Sequence, residues 1–369
     1  MHLPAAPLED WLRDYYFEAA IDISSSGVEP YGMTELGELV GISADDIFDV
    51  TFRDSPSRGD LRLRTAIARR WGDSDPERVL VANGTNEALF LVLTGLLDEG
   101  YEVLVLDPAY HSLAALAEAR GCRVRRWRLR HETGFRPDLD ELEALVSSTT
   151  RAVVVNFPHN PTGASLTEAD YARLVDVVRR AGAWLVWDAI FAELTYDSPP
   201  LPDPSLEYER AVSFGGLSKC YGLPGLRVGW ALGPPELLDA AVHIRDYTSL
   251  ATSPLVEAVA HRAIERAERL VAPRLEQAQR NLALVRTWMD EHVHAVEWSP
   301  PAGGVTVFPR LHGVPDTQAL CHQLMADAGV LLVPGACFGH PGHVRLGFGG
   351  ATGALVQGLD RLSAALTTR

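Results

Sequence analysis

The pattern that most restricts this chain is a recurrence of short uncharged runs of strand length, each followed by a helical stretch. VLVA (79–82), VLVL (103–106), the run Ala152–Phe157 and WLVW (184–187) are of this kind, and AVSF and VGWAL bracket residues 211–232. A run that is apolar at every position, on both alternating faces, suits a strand buried on both sides. Helical spacing between the runs, as in Leu61–Trp71, supplies the covering layers. The chain therefore reads as α/β, a mainly parallel sheet with helices on both faces. Cys122–Leu129 is expected to add one more strand.

After Pro254 the pattern changes to a long helical stretch ending near His292. Short strands near Gly304–Phe308, Val330–Val333 and Val344–Phe348 follow, with helices near Thr317–Asp327 and Ala354–Leu366. That shift marks a second, smaller α+β domain. The expected division is a large domain over 45–255 and a small one made of 1–44 with 256–369, including an amphipathic helix at Leu8–Phe17.

Open α/β sheets bind ligands beyond the carboxyl ends of their strands, so the residues at those ends carry the functional argument. Lys219 stands in SFGGLSKCYGLPGLRVGW (Ser213–Trp230), among the small residues Gly215, Gly216 and Ser218, with Arg227 eight positions on. A lysine confined there is desolvated, its pKa falls, and its free amine becomes a Schiff-base nucleophile. Asp188 directly follows the apolar run WLVW, where a carboxylate is costly without a cationic or protonated partner. Asn160 is held between prolines in PHNPTG. Tyr110, in DPAYHSL, suits a ring stacked on a flat ligand and suits a core position equally.

The turn NGTNEALF offers the amides of Gly84, Thr85 and Asn86 at a helix start. It reads as an anion site or as a plain capped helix. In ISSSGV three serines and Gly27 read as a ligand loop or as a surface turn.

A net charge of −16 argues against a nucleic-acid partner and is compatible with a cationic substrate. The four cysteines have neither metal-ligand nor paired spacing, so reduced thiols in a cytoplasm are expected, with no metal. No window reaches 18 uncharged apolar residues, and the first 20 residues lack the apolar core of a signal peptide.

The lysine segment, its arginine, the strand-end aspartate, the NPTG asparagine and the Gly-Thr helix start together resemble the class I/II aminotransferases over nearly the whole chain. These are fold-type I enzymes that use pyridoxal 5′-phosphate (PLP). The resemblance implies a mainly parallel seven-stranded sheet, a PLP cofactor, and a homodimer whose active sites are completed by the neighbouring subunit. It implies that Lys219 forms the Schiff base and moves the proton at the substrate α-carbon. Asp188 would keep the pyridine nitrogen protonated, Asn160 would bond the ring's phenolic oxygen, and Tyr110 would stack on the ring. Arg227, Ser218 and the amides of Gly84, Thr85 and Asn86 would hold the phosphate. Arg345, in HVRLGFGG, would grip the substrate α-carboxylate in bidentate fashion, with the Gly27 loop closing over it.

Three positions depart from the family pattern. Phe191 replaces a tyrosine, Gly216 replaces a serine or threonine, and Asp54 stands where a tyrosine usually reaches the partner's phosphate. PLEDWLRDYYF, ISSSGV and FRDSPSRGDLRLR are in turn similar to segments of capreomycidine synthases. Those are PLP-dependent enzymes that cyclise β-hydroxylated arginine in the biosynthesis of tuberactinomycin- and streptothricin-type antibiotics. This implies a hydro-lyase-type cyclase acting on a hydroxylated arginine. An aminotransferase of a small amino acid is the alternative; a PLP-binding regulator is disfavoured by the lack of a DNA-binding segment. A guanidine substrate calls for a carboxylate partner, and Glu9, Asp10 and Asp54 fit equally. His111 reads as a proton carrier or as a structural histidine.

Overall fold

The structure, a computed structural model, describes residues 2–367. Seven strands form its main sheet: β1 (Val79–Ala82), β2 (Glu102–Asp107), β3 (Arg123–Arg128), β4 (Thr150–Asn156), β5 (Trp184–Asp188), β6 (Ala211–Gly216) and β7 (Gly229–Leu232). Their order is β1-β7-β6-β5-β4-β2-β3. Neighbours are parallel except β7, which runs antiparallel to both β1 and β6. This is the fold-type I architecture, mainly parallel and flanked by helices.

Side-chain alternation explains why the strand runs lack polar positions. In β2, Leu104 and Leu106 join one buried cluster while Val103 and Val105 join another; in β4, Val153 and Val155 oppose Ala152 and Val154 in the same way. Each fully buried Val or Leu contributes roughly 1.5–3 kcal/mol by leaving water. A polar residue is therefore expensive anywhere but at a strand end, which is where Asn156 and Asp188 stand.

Around the main sheet, Ile21–Asp22 pairs in parallel with Val330–Leu331, tying the N-terminal segment to the C-terminal part. The single strand expected over Val330–Val333 is two. Val333–Pro334 turns away from that pairing to run antiparallel to Val344–Gly347. The long helical stretch after Pro254 is likewise two helices, Pro254–Glu265 and Ala267–Glu291. They are separated by Arg266, whose φ of −122° and ψ of 27° take it out of the helix. Helices Met33–Val40, Ala44–Phe48 and Pro235–Arg245 are additional to those read from the pattern. Among the described residues no helix is long and apolar enough to cross a membrane.

Candidate active site

The carboxyl-terminal ends of the parallel strands open onto one cavity of about 390 Å³. Lys219, Asp188, Asn160 and Arg345 line it, and so do Thr85, Asn86, Tyr110, Ser218 and Arg227. Gly27 and Gly84 stand behind this wall. The Val28 amide, next to Gly27, donates to the Lys219 carbonyl at 3.2 Å. A Cβ on Gly27 would come within 3.3 Å of the Ser218 carbonyl, so the bare backbone permits the close approach.

Lys219 enters from the turn after β6. Its Nζ donates to Ser26 Oγ at 2.9 Å. Burial lowers its pKa to about 8; Arg345 and Arg227 push the same way, against Glu9 and Asp188. A substantial fraction of the amine is therefore neutral near pH 8. The sequence offers three serines in ISSSGV without distinguishing them; the structure singles out Ser26.

Asp188, 5% exposed, ends β5. Burial raises its pKa to about 7, opposed by the hydrogen bond its Oδ1 accepts from Ile190 N at 3.1 Å and by the charge of Lys219. Asn156, at the end of β4, ties the neighbouring strand and loop together. Its Nδ2 donates to the Asp188 carbonyl (2.9 Å) and its Oδ1 accepts from Asn160 N (2.9 Å). No sequence signal separated Asn156 from the hydrophobic run it ends.

The PHNPTG loop is fixed by His159. Its Nε2 faces the Pro108 carbonyl at 2.7 Å, so that nitrogen carries the proton, and its Nδ1 accepts from the Thr162 hydroxyl at 2.7 Å. This neutral form agrees with a pKa lowered by burial to about 4. Asn160 Oδ1 in turn accepts from Arg345 Nη1 at 3.2 Å, while Arg345 Nη2 donates to the Ser24 carbonyl at 2.9 Å. Arg345 is 2% exposed, and burial lowers its pKa to about 10. The guanidinium is thereby held in one plane at the cavity wall.

Opposite Lys219, the helix Thr85–Leu96 begins at Gly84 with no side-chain cap, so its first amides point outward. At Gly84 a Cβ would lie 2.5 Å from Arg227 Nη2. The glycine is what lets this guanidinium lie beside the helix start. Arg227 adopts a left-handed φ of 52°, and its Nη1 reaches Ser218 Oγ at 3.4 Å. A cationic patch results beside an uncapped helix start, an arrangement that favours anions.

Gly216 also has a local cause: a Cβ there would meet Thr85 Oγ1 at 2.5 Å and Ile190 Cδ1 at 3.0 Å. In this chain the Thr85 hydroxyl, bonded to the Gly215 carbonyl at 2.9 Å, fills the space a larger residue would need. Phe191 lines the cavity without a hydroxyl. Tyr110 accepts from Asn86 Nδ2 (2.9 Å) and donates to Glu9 Oε1 (2.8 Å). His111 stacks obliquely on Tyr110 at 4.3 Å, outside the cavity lining. Asp54 lies in a separate cleft with Asp45, Asp49 and Arg262.

The family model for aminotransferases of class I and II matches residues 48–362. The capreomycidine synthase of Streptomyces vinaceus is 48% identical over 368 residues, covering 99% of this chain and 95% of that protein. The arginine–pyruvate transaminase AruH of Pseudomonas aeruginosa is 32% identical over 306 residues, covering 79% and 76%. Among solved structures, the PLP-dependent cyclase OrfR superposes with a TM-score of 0.95 at 42% identity, covering 100% of this chain and 98% of that one. The chain belongs to the class I and II aminotransferase family, whose cofactor is pyridoxal 5′-phosphate.

Proposed function

We propose that this protein cyclises a β-hydroxylated L-arginine to a capreomycidine-type cyclic guanidino amino acid, with loss of one water, in the biosynthesis of a streptothricin- or tuberactinomycin-like antibiotic. The observation that carries the reading is Lys219. It is an amine with a lowered pKa in a cavity that also holds a buried carboxylate and a buried arginine, in a chain 48% identical to a capreomycidine synthase.

The residues present fit PLP. Asp188 has a backbone amide on Oδ1 and an unusually high proton affinity, which suits a partner bearing its own N–H. Arg345 Nε is buried without a hydrogen-bond partner among the described residues. Gly84 leaves Arg227 beside an uncapped helix start. In this reading Lys219 Nζ would hold the cofactor at its aldehyde, and Asp188 would partner its ring nitrogen. Asn160 Nδ2 meets the phenolic oxygen, since Oδ1 is engaged by Arg345. Tyr110 packs on the ring. Arg227, Ser218 and the amides of Thr85 and Asn86 would receive the phosphate, whereas the Gly84 N–H expected to join them already donates to the Ala82 carbonyl at 2.8 Å.

When bound, the cofactor's protonated ring takes up the electron pair left at the substrate α-carbon. Arg345 holds the α-carboxylate, with the Gly27 loop over it, and so aims the α-hydrogen at Lys219. Lys219 Nζ takes that proton, and Ser26 fixes the direction of Nζ. The β-carbon–oxygen bond then breaks, and with one proton the hydroxyl leaves as water. A nitrogen of the tethered guanidine bonds to the β-carbon and loses a proton, a closure favoured by its high effective molarity. Lys219 returns a proton to the α-carbon. No oxidant or amino acceptor is consumed. Phe191 favours this outcome over transamination, because it puts no hydroxyl where the family's tyrosine would hold or deliver a proton.

The test is anaerobic incubation of the PLP-loaded protein with 3-hydroxy-L-arginine and no keto acid, read by mass spectrometry and NMR. Loss of one water per product over many turnovers, with a closed ring, is expected. Turnover only when a keto acid is supplied would replace the reading with an aminotransferase.

The same reading includes a cytoplasmic homodimer with shared sites. Phe48 and Phe52, 84% and 78% exposed, lie close in sequence to Asp54 and form the kind of apolar surface a second subunit covers. All four cysteines are free thiols. Sedimentation at twice the chain mass is expected, and a monomer at micromolar concentration would remove the dimer and any role for Asp54 across it.

A further inference from the structure

The cavity carries one more charge than the cofactor and an α-carboxylate account for. Its cations are Lys219, Arg227 and Arg345, and its carboxylates are Asp188 and Glu9. In the reading above, Arg227 faces a phosphate, Arg345 an α-carboxylate, and Asp188 a ring N–H. Glu9 has no such counterpart.

Glu9 reaches the cavity because of how its helix is anchored. Helix Pro7–Tyr15 buries Leu8 and Trp11. Trp11 Nε1 donates to the Leu332 carbonyl at 3.0 Å, and the Tyr15 hydroxyl meets His322 Nδ1 at 2.8 Å. With that face fixed, Leu8, Glu9 and Leu12 line the cavity. One residue on, a rotation of about 100° turns Asp10 to solvent, where it pairs with Arg13 at 2.9 Å and its side chain is 52% exposed. Asp54 belongs to a different cleft. Of the three carboxylates the sequence offers to a guanidine, the fold brings one to Lys219.

The surroundings of Glu9 suit a planar cation. Its Oε1 accepts from the Tyr110 hydroxyl at 2.8 Å, and Tyr110 accepts from Asn86 at 2.9 Å, so the carboxylate is held from behind. That contact is a neutral phenol, so the hydrogen bond that holds the carboxylate brings no cation to it. A substrate with a neutral side chain would enclose this charge without a cation, a costly arrangement. A guanidinium offers paired N–H donors and the missing charge.

We infer that Glu9, carried by the N-terminal helix and braced by Tyr110, receives the guanidinium of the substrate and sets the enzyme's preference for a cationic side chain. Glu9 is thus a specificity-determining residue, and it lines the same cavity as the Arg345 grip, so that the substrate is held at both ends. The inference rests on the proposed guanidine substrate.

The test titrates PLP-loaded wild type and Glu9→Gln with L-arginine and with L-citrulline, following the visible absorbance of the bound cofactor. Neither compound has a β-hydroxyl to lose, and L-citrulline is a near-isosteric neutral counterpart. Glutamine keeps a carbonyl oxygen for Tyr110, so the wall is preserved. Wild type is expected to favour arginine by about 10- to 100-fold, the worth of a charge-assisted hydrogen bond. Glu9→Gln is expected to lose that factor for arginine and keep citrulline affinity within about twofold. Equal loss for both ligands, or no loss for arginine in an enzyme whose wild type does discriminate, would overturn the role of Glu9 alone. A wild type that does not distinguish the two ligands would overturn the guanidine-substrate reading and this inference together.

Discussion

Replacing Lys219 with alanine is expected to lower turnover by about 10⁴-fold or more, because one side chain is asked to hold the cofactor and to move the α-proton twice. The fold should survive the change. The Lys219 pKa is lowered from 10.5 to about 8 by burial. In the protein without cofactor, the unfolded chain therefore binds a proton more readily than the folded one between those values. Stability from this group is present above the ordinary value and lost as pH falls through about 8. At pH 7 the folded protein bears a desolvated cation there, and Lys219→Ala removes it. The cofactor-free variant is expected to melt no lower than cofactor-free wild type at pH 7. Its visible absorbance with PLP should resemble the free aldehyde, and methylamine should restore part of the turnover. Turnover within tenfold of wild type would remove Lys219 from the chemistry.

How much of this was legible before the structure depends on the range of the interactions involved. The strands were legible because burial on both faces forces a local, uninterrupted apolar signature, and VLVA, VLVL and WLVW lie where strands stand. Lys219 and Asp188 were legible because a charged residue at the end of such a run, or amid small residues, is locally anomalous, whereas Arg345 was picked out only by the family resemblance. Ser26 and Asn156 were not, since each owes its importance to a bond with a residue far along the chain. Glu9 and Asp10 are chemically near-identical neighbours in the sequence. Only the packing of Trp11 against Leu332 decides which one faces inward. The division of Val330–Pro334 between two sheets was hidden for the same reason, since each strand is two residues long and depends on its partner. Gly216 looked only like a departure from the family's serine or threonine, and the structure gives it a steric cause in Thr85 and Ile190.

Asp188→Asn is the change expected to hurt next most. In the proposed site its carboxylate keeps the cofactor ring protonated, and asparagine can hydrogen-bond a ring nitrogen without stabilising its positive charge. Removing one such electrostatic contact from a water-excluded site costs about 10²–10³-fold in rate, and the loss should fall on kcat rather than on KM, because Arg345 still holds the substrate. A second signature follows from its titration in the cofactor-free protein. Burial raises the Asp188 pKa from 3.8 to about 7. Between those values the folded protein retains a proton that the unfolded chain has released, so this group's contribution is full below 3.8 and is lost as pH rises through about 7. Asparagine has no such dependence. The melting temperature of cofactor-free Asp188→Asn, measured relative to cofactor-free wild type, should therefore climb as pH is raised across that window. Saturating PLP should abolish or reverse the trend, since a protonated ring nitrogen would give the wild-type carboxylate its partner. A difference that stays flat with pH would mean that Asp188 is already ionised in the folded protein, and the case for a ring-protonating carboxylate would lose its electrostatic basis.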